Sequence, residues 1–148
     1  MVLPNGADER EFSGGDAPGF RARHEIGDAD ALILTVGSLN GAKGHWELAR
    51  AFELAHFERP ASLILNGNMP RLSAIGRLRQ TARAVLNHQV PGLARLVARI
   101  NRRGRGLKRI ILADLPRPEL VEAYKAADLF AFASHVEYSP LVLFEAVE

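Results

Sequence analysis

Two short stretches of this 148-residue chain carry residue types that could do chemistry. The first is Gly37-Ser38-Leu39-Asn40-Gly41-Ala42-Lys43-Gly44. Glycines let a backbone approach a ligand closely and adopt positive φ. A lysine at the mouth of a helix adds a point charge where backbone N–H groups converge. Together Gly37, Ser38 and Lys43 suit a phosphate or diphosphate. The stretch is neither a P-loop nor GxGxxG, and a tight strand-to-helix turn with a solvated lysine would read the same way. The second stretch is Ser134-His135-Val136-Glu137-Tyr138-Ser139-Pro140-Leu141-Val142-Leu143-Phe144-Glu145. Ser139 is a good N-cap and Pro140 suits the first helical position. The open amides of Leu141 and Val142 would then make a second anion site. Glu137 lies in the loop before this helix and Glu145 lies inside it. A carboxylate among Leu143, Phe144, Ala146 and Val147 needs a partner if it is buried. Ligand hydroxyls would serve; so would an arginine, and simple exposure would remove the need.

The elements that must position these stretches follow from hydrophobic pattern. Residues 31–36 form a continuous, partly β-branched apolar run closed by Gly37, as a buried strand does. Residues 46–58 carry Leu48, Ala51, Phe52 and Ala55 on one helical face, with Pro60 beyond the end. Residues 62–66 form a second strand stopped by Gly67. Residues 70–103 are helical in pattern and broken near Pro91-Gly92, with a stripe of Leu93, Leu96, Val97 and Ile100. Strands over 109–113 and 129–133 flank a helix over 118–127, and a last helix opens at Pro140. Residues 1–30 read as loop, with turn signals at Pro4-Asn5-Gly6 and at residues 13–19. Strict alternation of strand and helix predicts an α/β fold: a Rossmann-like parallel sheet with helices on both faces. Ligands on such sheets sit at the carboxyl ends of the strands. Both chemical stretches fall there.

Composition bounds the function. Hydrophobic residues make up 47% and charged residues 24%, the balance of an ordinary globular domain. The chain has no cysteine, which excludes disulfides, thiolate metal sites and a thiol nucleophile and suits a reducing compartment. His24, His45, His56 and His88 show no metal-ligand spacing, and His135 reads as a structural or solvated residue. No apolar run approaches the roughly 18 residues of a membrane span, and residues 1–20 lack signal-peptide order. A cytoplasmic protein is expected. The arginine bias, 16 Arg against 3 Lys, is a usage associated with GC-rich bacterial genes. Between Arg71 and Arg109 stand 11 basic residues with no Asp or Glu. The plain reading is a solvated helical face. The functional one is an anionic surface. Without an aromatic residue in the segment, base stacking is not expected, so a peripheral membrane contact suits it better than nucleic acid.

The spacing of Glu137 and Glu145 resembles the E-x7-E motif of the family 4 glycosyltransferases, and Ser-Pro-Leu-Val-Leu-Phe-Glu-Ala around it looks like the bacterial form. The likeness runs along the chain. Val2-Leu3-Pro4-Asn5-Gly6-Ala7-Asp8 with Phe12 is similar to the family's V-x-P-N-G-x-D-x-x-x-F segment. Residues 33–37 with Lys43-Gly44 resemble its first strand and V-G-R-x-x-x-x-K-G loop. Leu63 to Gly67 resembles L-x-I-x-G. Leu115-Pro116, Glu119-Leu120, Tyr124 and Ala126-Ala127-Asp128-Leu129-Phe130 are similar to V-P-x-x-E-L-x-x-x-Y-x-x-A-D-V-F.

The resemblance implies the C-terminal, donor-binding half of a GT-B fold, with residues 1–148 a single nucleotide-sugar-binding domain. It implies retaining transfer from a UDP- or GDP-sugar to a glycan or lipid-linked acceptor, as in bacterial polysaccharide biosynthesis, without a metal or other cofactor. In its terms Lys43 contacts the donor diphosphate and Glu145 holds the ribose hydroxyls. Glu137 faces the donor sugar, and Leu115 lies where main chain meets the base. Amides around Ser139, Pro140 and Leu141 cradle phosphate. The chain departs from the pattern in three ways. Ser38 stands where the family usually has an arginine, a charge-assisted contact worth about 1.5–3 kcal/mol. Residues 68–107 are longer and more basic. The sequence ends at Glu148, before the next family strand, and holds no acceptor domain. A truncated donor domain that binds its nucleotide sugar without transferring it is one alternative. A protein that meets anionic surfaces through residues 71–109 is the other.

Overall fold

A computed structural model describes residues 9–39, 42–67, 91–104, 106–135 and 140–147. Its elements are α1 (Glu9–Phe12), α2 (Ala17–Arg23), β1 (Ala31–Val36), α3 (His45–Leu54), β2 (Ala61–Asn66), α4 (Pro91–Arg103), β3 (Lys108–Ala113), α5 (Arg117–Ala126), β4 (Leu129–Phe130) and α6 (Leu141–Glu145).

The four strands form one parallel sheet in the order β3-β2-β1-β4. β2 is buried at every position, as a central strand covered on both faces should be. Its side chains alternate between two cores. Leu63 and Leu65 join Ala49 and Phe52 of α3 and Leu93, Leu96, Val97 and Ile100 of α4. Ile64 points the other way, joining Leu32 and Leu34 of β1, Phe20 of α2, and Leu120, Ala123 and Ala126 of α5. Each fully buried Leu or Ile contributes about 1.5–3 kcal/mol to holding a helix on the sheet. The chain therefore winds from β1 to β3 over one face, then crosses by α5 over the other to set β4 beside β1. The switch point lies between β1 and β4, where crevices open at the carboxyl ends of such sheets.

Three expectations need correction. Residues 9–12 and 17–23 are helical rather than loop. The turn signal at residues 13–19 is a helix start: Asp16 accepts the Gly19 amide at 2.8 Å and Pro18 sits in the first turn, while Phe20 is completely buried. Arg21 then anchors α2, donating to the carbonyls of Ala126, Gly27 and Asp30 and to Asp128. The helix expected over 46–58 ends at Leu54. Lys108 donates to the carbonyls of Glu53 and Ala55 there, and Phe57 turns back onto Phe52. Strand β4 stops at Phe130 rather than residue 133. Past the Ala131 amide, bonded to Leu34, the neighbour along the chain is the loop before α3 and no longer β1.

Candidate functional site

The loop after β1 is shaped by backbone. The Gly37 amide donates to the Asn66 carbonyl at 2.9 Å, and a Cβ at Gly37 would lie 3.2 Å from Cγ of Lys43. The aliphatic stem of Lys43 thus lies over the end of β1. Gly44 is left-handed, with φ 68°, and caps α3 without a side-chain hydrogen bond. A Cβ there would lie 1.9 Å from the Ala133 carbonyl oxygen, so no other residue lets this loop close onto the end of β4. The two loops are joined further. The His135 amide donates to the Ala42 carbonyl at 3.1 Å, the Ser134 hydroxyl reaches the same oxygen at 3.4 Å, and the His135 ring stands 3.4 Å from Glu47. Ser38 is exposed beside them.

The first residue of α3, His45, is 2% exposed, and neither ring nitrogen has a partner among the described residues. Burial, with a smaller push from Lys43, holds its pKa below the ordinary 6.5 against the opposing pull of Glu47. Burial thus favours its neutral imidazole form.

The loop after β3 is fixed by a side chain. Asn66, buried at the end of β2, accepts the Leu115 amide on Oδ1 at 2.9 Å. Its main-chain carbonyl already takes the Gly37 amide, so one residue braces both loops. With the Leu115 amide committed, a contact between this main chain and a base would fall to the carbonyl. Sequence reading passed over Asn66. Its signal was a polar residue closing the apolar run Leu63-Ile64-Leu65.

Glu145 has the partners that its burial demands. Its side chain is 13% exposed. Oε1 accepts from Arg117 Nη1 at 2.7 Å, and Oε2 accepts from the Tyr124 hydroxyl at 2.9 Å. Arg117 turns its other edge to Glu11 in a two-pronged pair at 2.6 and 2.7 Å and lies over the Phe12 ring. Burial and the hydrogen bond to Glu145 push the Tyr124 hydroxyl well above its usual range, so it stays a donor. The hydrogen bond from Arg117 holds Glu11 below the usual carboxylate range. Sequence reading weighed an arginine partner for Glu145 without identifying Arg117, and gave Glu11 no role. The pairing spans 28 residues to Arg117 and a further 106 to Glu11, which no local pattern encodes.

Helix α6 begins one residue later than expected. Pro140 is its cap, in extended backbone, and Leu141 is its first residue. Glu137 and Ser139 lie outside the described residues, so the structure brings together Gly37, Ser38, Lys43 and the β4 end on one side, and Leu115 and Glu145 on the other.

Much of the described basic run is used internally. Arg99 pairs twice with Glu53 at 3.1 Å, and Arg109 reaches the His24 carbonyl and Glu25. Arg95, Arg102 and Arg103 are exposed; residues 71–90 lie outside the described ones. No described helix is long and apolar enough to cross a membrane, and no cluster of three His, Asp or Glu that could hold a metal occurs among the described residues.

The family described as Glycosyl transferases group 1 matches residues 16–148. No curated protein matches the chain. Among solved structures, HepE of Anabaena in complex with UDP superposes with a TM-score of 0.64 at 18% identity, over 99% of this chain and 35% of its own. Sucrose-phosphate synthase of Thermosynechococcus elongatus gives 0.64 at 19%, over 99% and 32%. WaaG, a glycosyltransferase involved in lipopolysaccharide biosynthesis, gives 0.58 at 21%, over 99% and 35%. These likenesses show a shared fold, and the chain spans about a third of the length of the structures it matches.

Proposed function

We propose that this chain, which belongs to the group 1 glycosyl transferases, is a donor-binding domain that holds a nucleoside diphosphate sugar across the carboxyl ends of β1, β3 and β4. The base lies against the main chain at Leu115 and the ribose hydroxyls meet Glu145. The diphosphate lies over Gly37, Ser38 and Lys43, with the amides near Pro140 and Leu141 on its far side. Glu137 faces the sugar. The reaction is displacement of the diphosphate at the anomeric carbon with net retention, towards a glycan or lipid-linked acceptor bound by a further domain. Charge developing on the departing diphosphate falls to the Lys43 ammonium and converging amides, pre-set so that no reorganisation is needed in the transition state.

One observation carries the reading. Asn66 ties the Gly37 loop to the Leu115 loop, and Arg117, two residues past Leu115, grips Glu145. The groups assigned to base, ribose and phosphate in this reading thus share one hydrogen-bonded frame. The complex of HepE with UDP makes a uridine nucleotide the first ligand to try.

Calorimetric titration of the chain with UDP and with GDP tests it. One of the two binds, and Glu145→Ala weakens that binding by about 10- to 150-fold, the worth of hydrogen bonds to a charged group. A folded chain that binds neither would sink the reading.

A further inference from the structure

We infer that Arg117 and Tyr124 are positioning residues for the ribose-holding carboxylate, and that Glu11 in α1 fixes Arg117 in turn; this rests on the donor-site reading above. A carboxylate offers about four acceptor sites. Arg117 takes one on Oε1 and Tyr124 takes one on Oε2. Among the described residues one site on each oxygen remains, the number that a pair of neighbouring hydroxyls would fill.

No side chain of α6 is fully buried, and Leu141 and Phe144 are exposed. Among the described residues no buried core residue lies in this helix, so the two donors are what hold Glu145 in a fixed place. A free glutamate loses side-chain entropy on being ordered. A carboxylate ordered before the ligand arrives spares the binding step that cost.

Arg117 is used asymmetrically. One edge meets Glu145, while Nε and Nη2 are spent on Glu11 in two-pronged geometry, with Phe12 beneath the guanidinium. An arginine held this way has its other N–H edge committed to Glu11. It offers Glu145 a single N–H donor and leaves the rest of the carboxylate open. Tyr124 is wedged between Phe12 and Phe130, at centroid distances of 5.9 and 5.6 Å, so its hydroxyl has little freedom to turn elsewhere.

The test compares UDP with its 2′,3′-dideoxy analogue, or the guanosine pair if that base binds, on the 148-residue chain. The wild type prefers the hydroxylated ligand about tenfold or more. Tyr124→Phe keeps the ring packing and lowers affinity for UDP about 3- to 10-fold, while leaving the dideoxy ligand unchanged. Arg117→Ala does the same more strongly, Arg117→Lys restores part of the loss, and Glu11→Gln gives a smaller loss of the same kind. A merely structural role would weaken both ligands alike, and that outcome overturns the inference, as does a Tyr124→Phe chain with the wild-type preference. In either case the donor-site reading survives. A wild type that binds nucleotide without regard to the ribose hydroxyls, or binds none, overturns both.

Discussion

The two halves of the site are built on opposite principles. The half proposed for phosphate, at Gly37, Lys43 and Gly44, is made of backbone: glycines that allow close approach, a helix start without a side-chain cap, and one lysine stem laid over a strand end. The half proposed for the nucleoside is made of side chains: Asn66 on Leu115, Arg117 and Tyr124 on Glu145, and Glu11 behind them. A backbone site is intolerant of added atoms and tolerant of changes in charge. A side-chain site is the reverse, because its geometry lives in partners that can be deleted one at a time.

The sharpest way to break the first half is therefore a methyl group. Gly44→Ala must carry a left-handed alanine and push the Ala133 carbonyl away, a combined loss of about 2–4 kcal/mol. Urea unfolding reads this directly; a loss below about 0.5 kcal/mol would mean that the loop closes onto β4 without needing a glycine.

Charge should be added there more easily. Ser38→Arg places a cation in the exposed position beside Gly37. UDP should then bind more tightly by about 1.5–3 kcal/mol, with uridine unaffected, since only the diphosphate meets the new group. Equal tightening of both ligands would remove Ser38 from the phosphate half. This gain should shrink with salt, because the contact is solvent-exposed.

The smallest expected effect is a pH dependence. His45 has its folded pKa held below 6.5 by burial. The unfolded chain therefore binds a proton that the folded chain resists, so the folded state loses stability as pH falls below 6.5, and loses none from this group above it. In thermal melts, His45→Leu should show a shallower decline on the acid side than the wild type. Parallel curves would mean that His45 finds a partner once protonated.

The legible part of this protein was what repeats at short range. The apolar run 31–36, the helical stripe Leu93, Leu96, Val97 and Ile100, and the alternation of strand with helix gave the parallel sheet and its covered faces, because burial imposes those periods on any chain that folds this way. Gly37, Lys43 and Gly44 were legible as a tight strand-to-helix loop for the same local reason. The helix at residues 17–23 was misread because Gly-Asp-Ala-Pro-Gly looks like a turn until Phe20 finds a core to enter.

What the chain by itself determined was thus the element order from β1 onward, the apolar faces of those elements, and the candidate groups at the strand ends. Only the tertiary structure decided their partners: that β4 returns beside β1, that Asn66 braces two loops, and that Glu145 meets Arg117 and Tyr124 while Glu11 completes the set. The reason is range. Backbone propensity and apolar period act over a few residues, whereas a hydrogen bond between residues 106 positions apart has no trace in the spacing of either, and exists only once the sheet has folded them together.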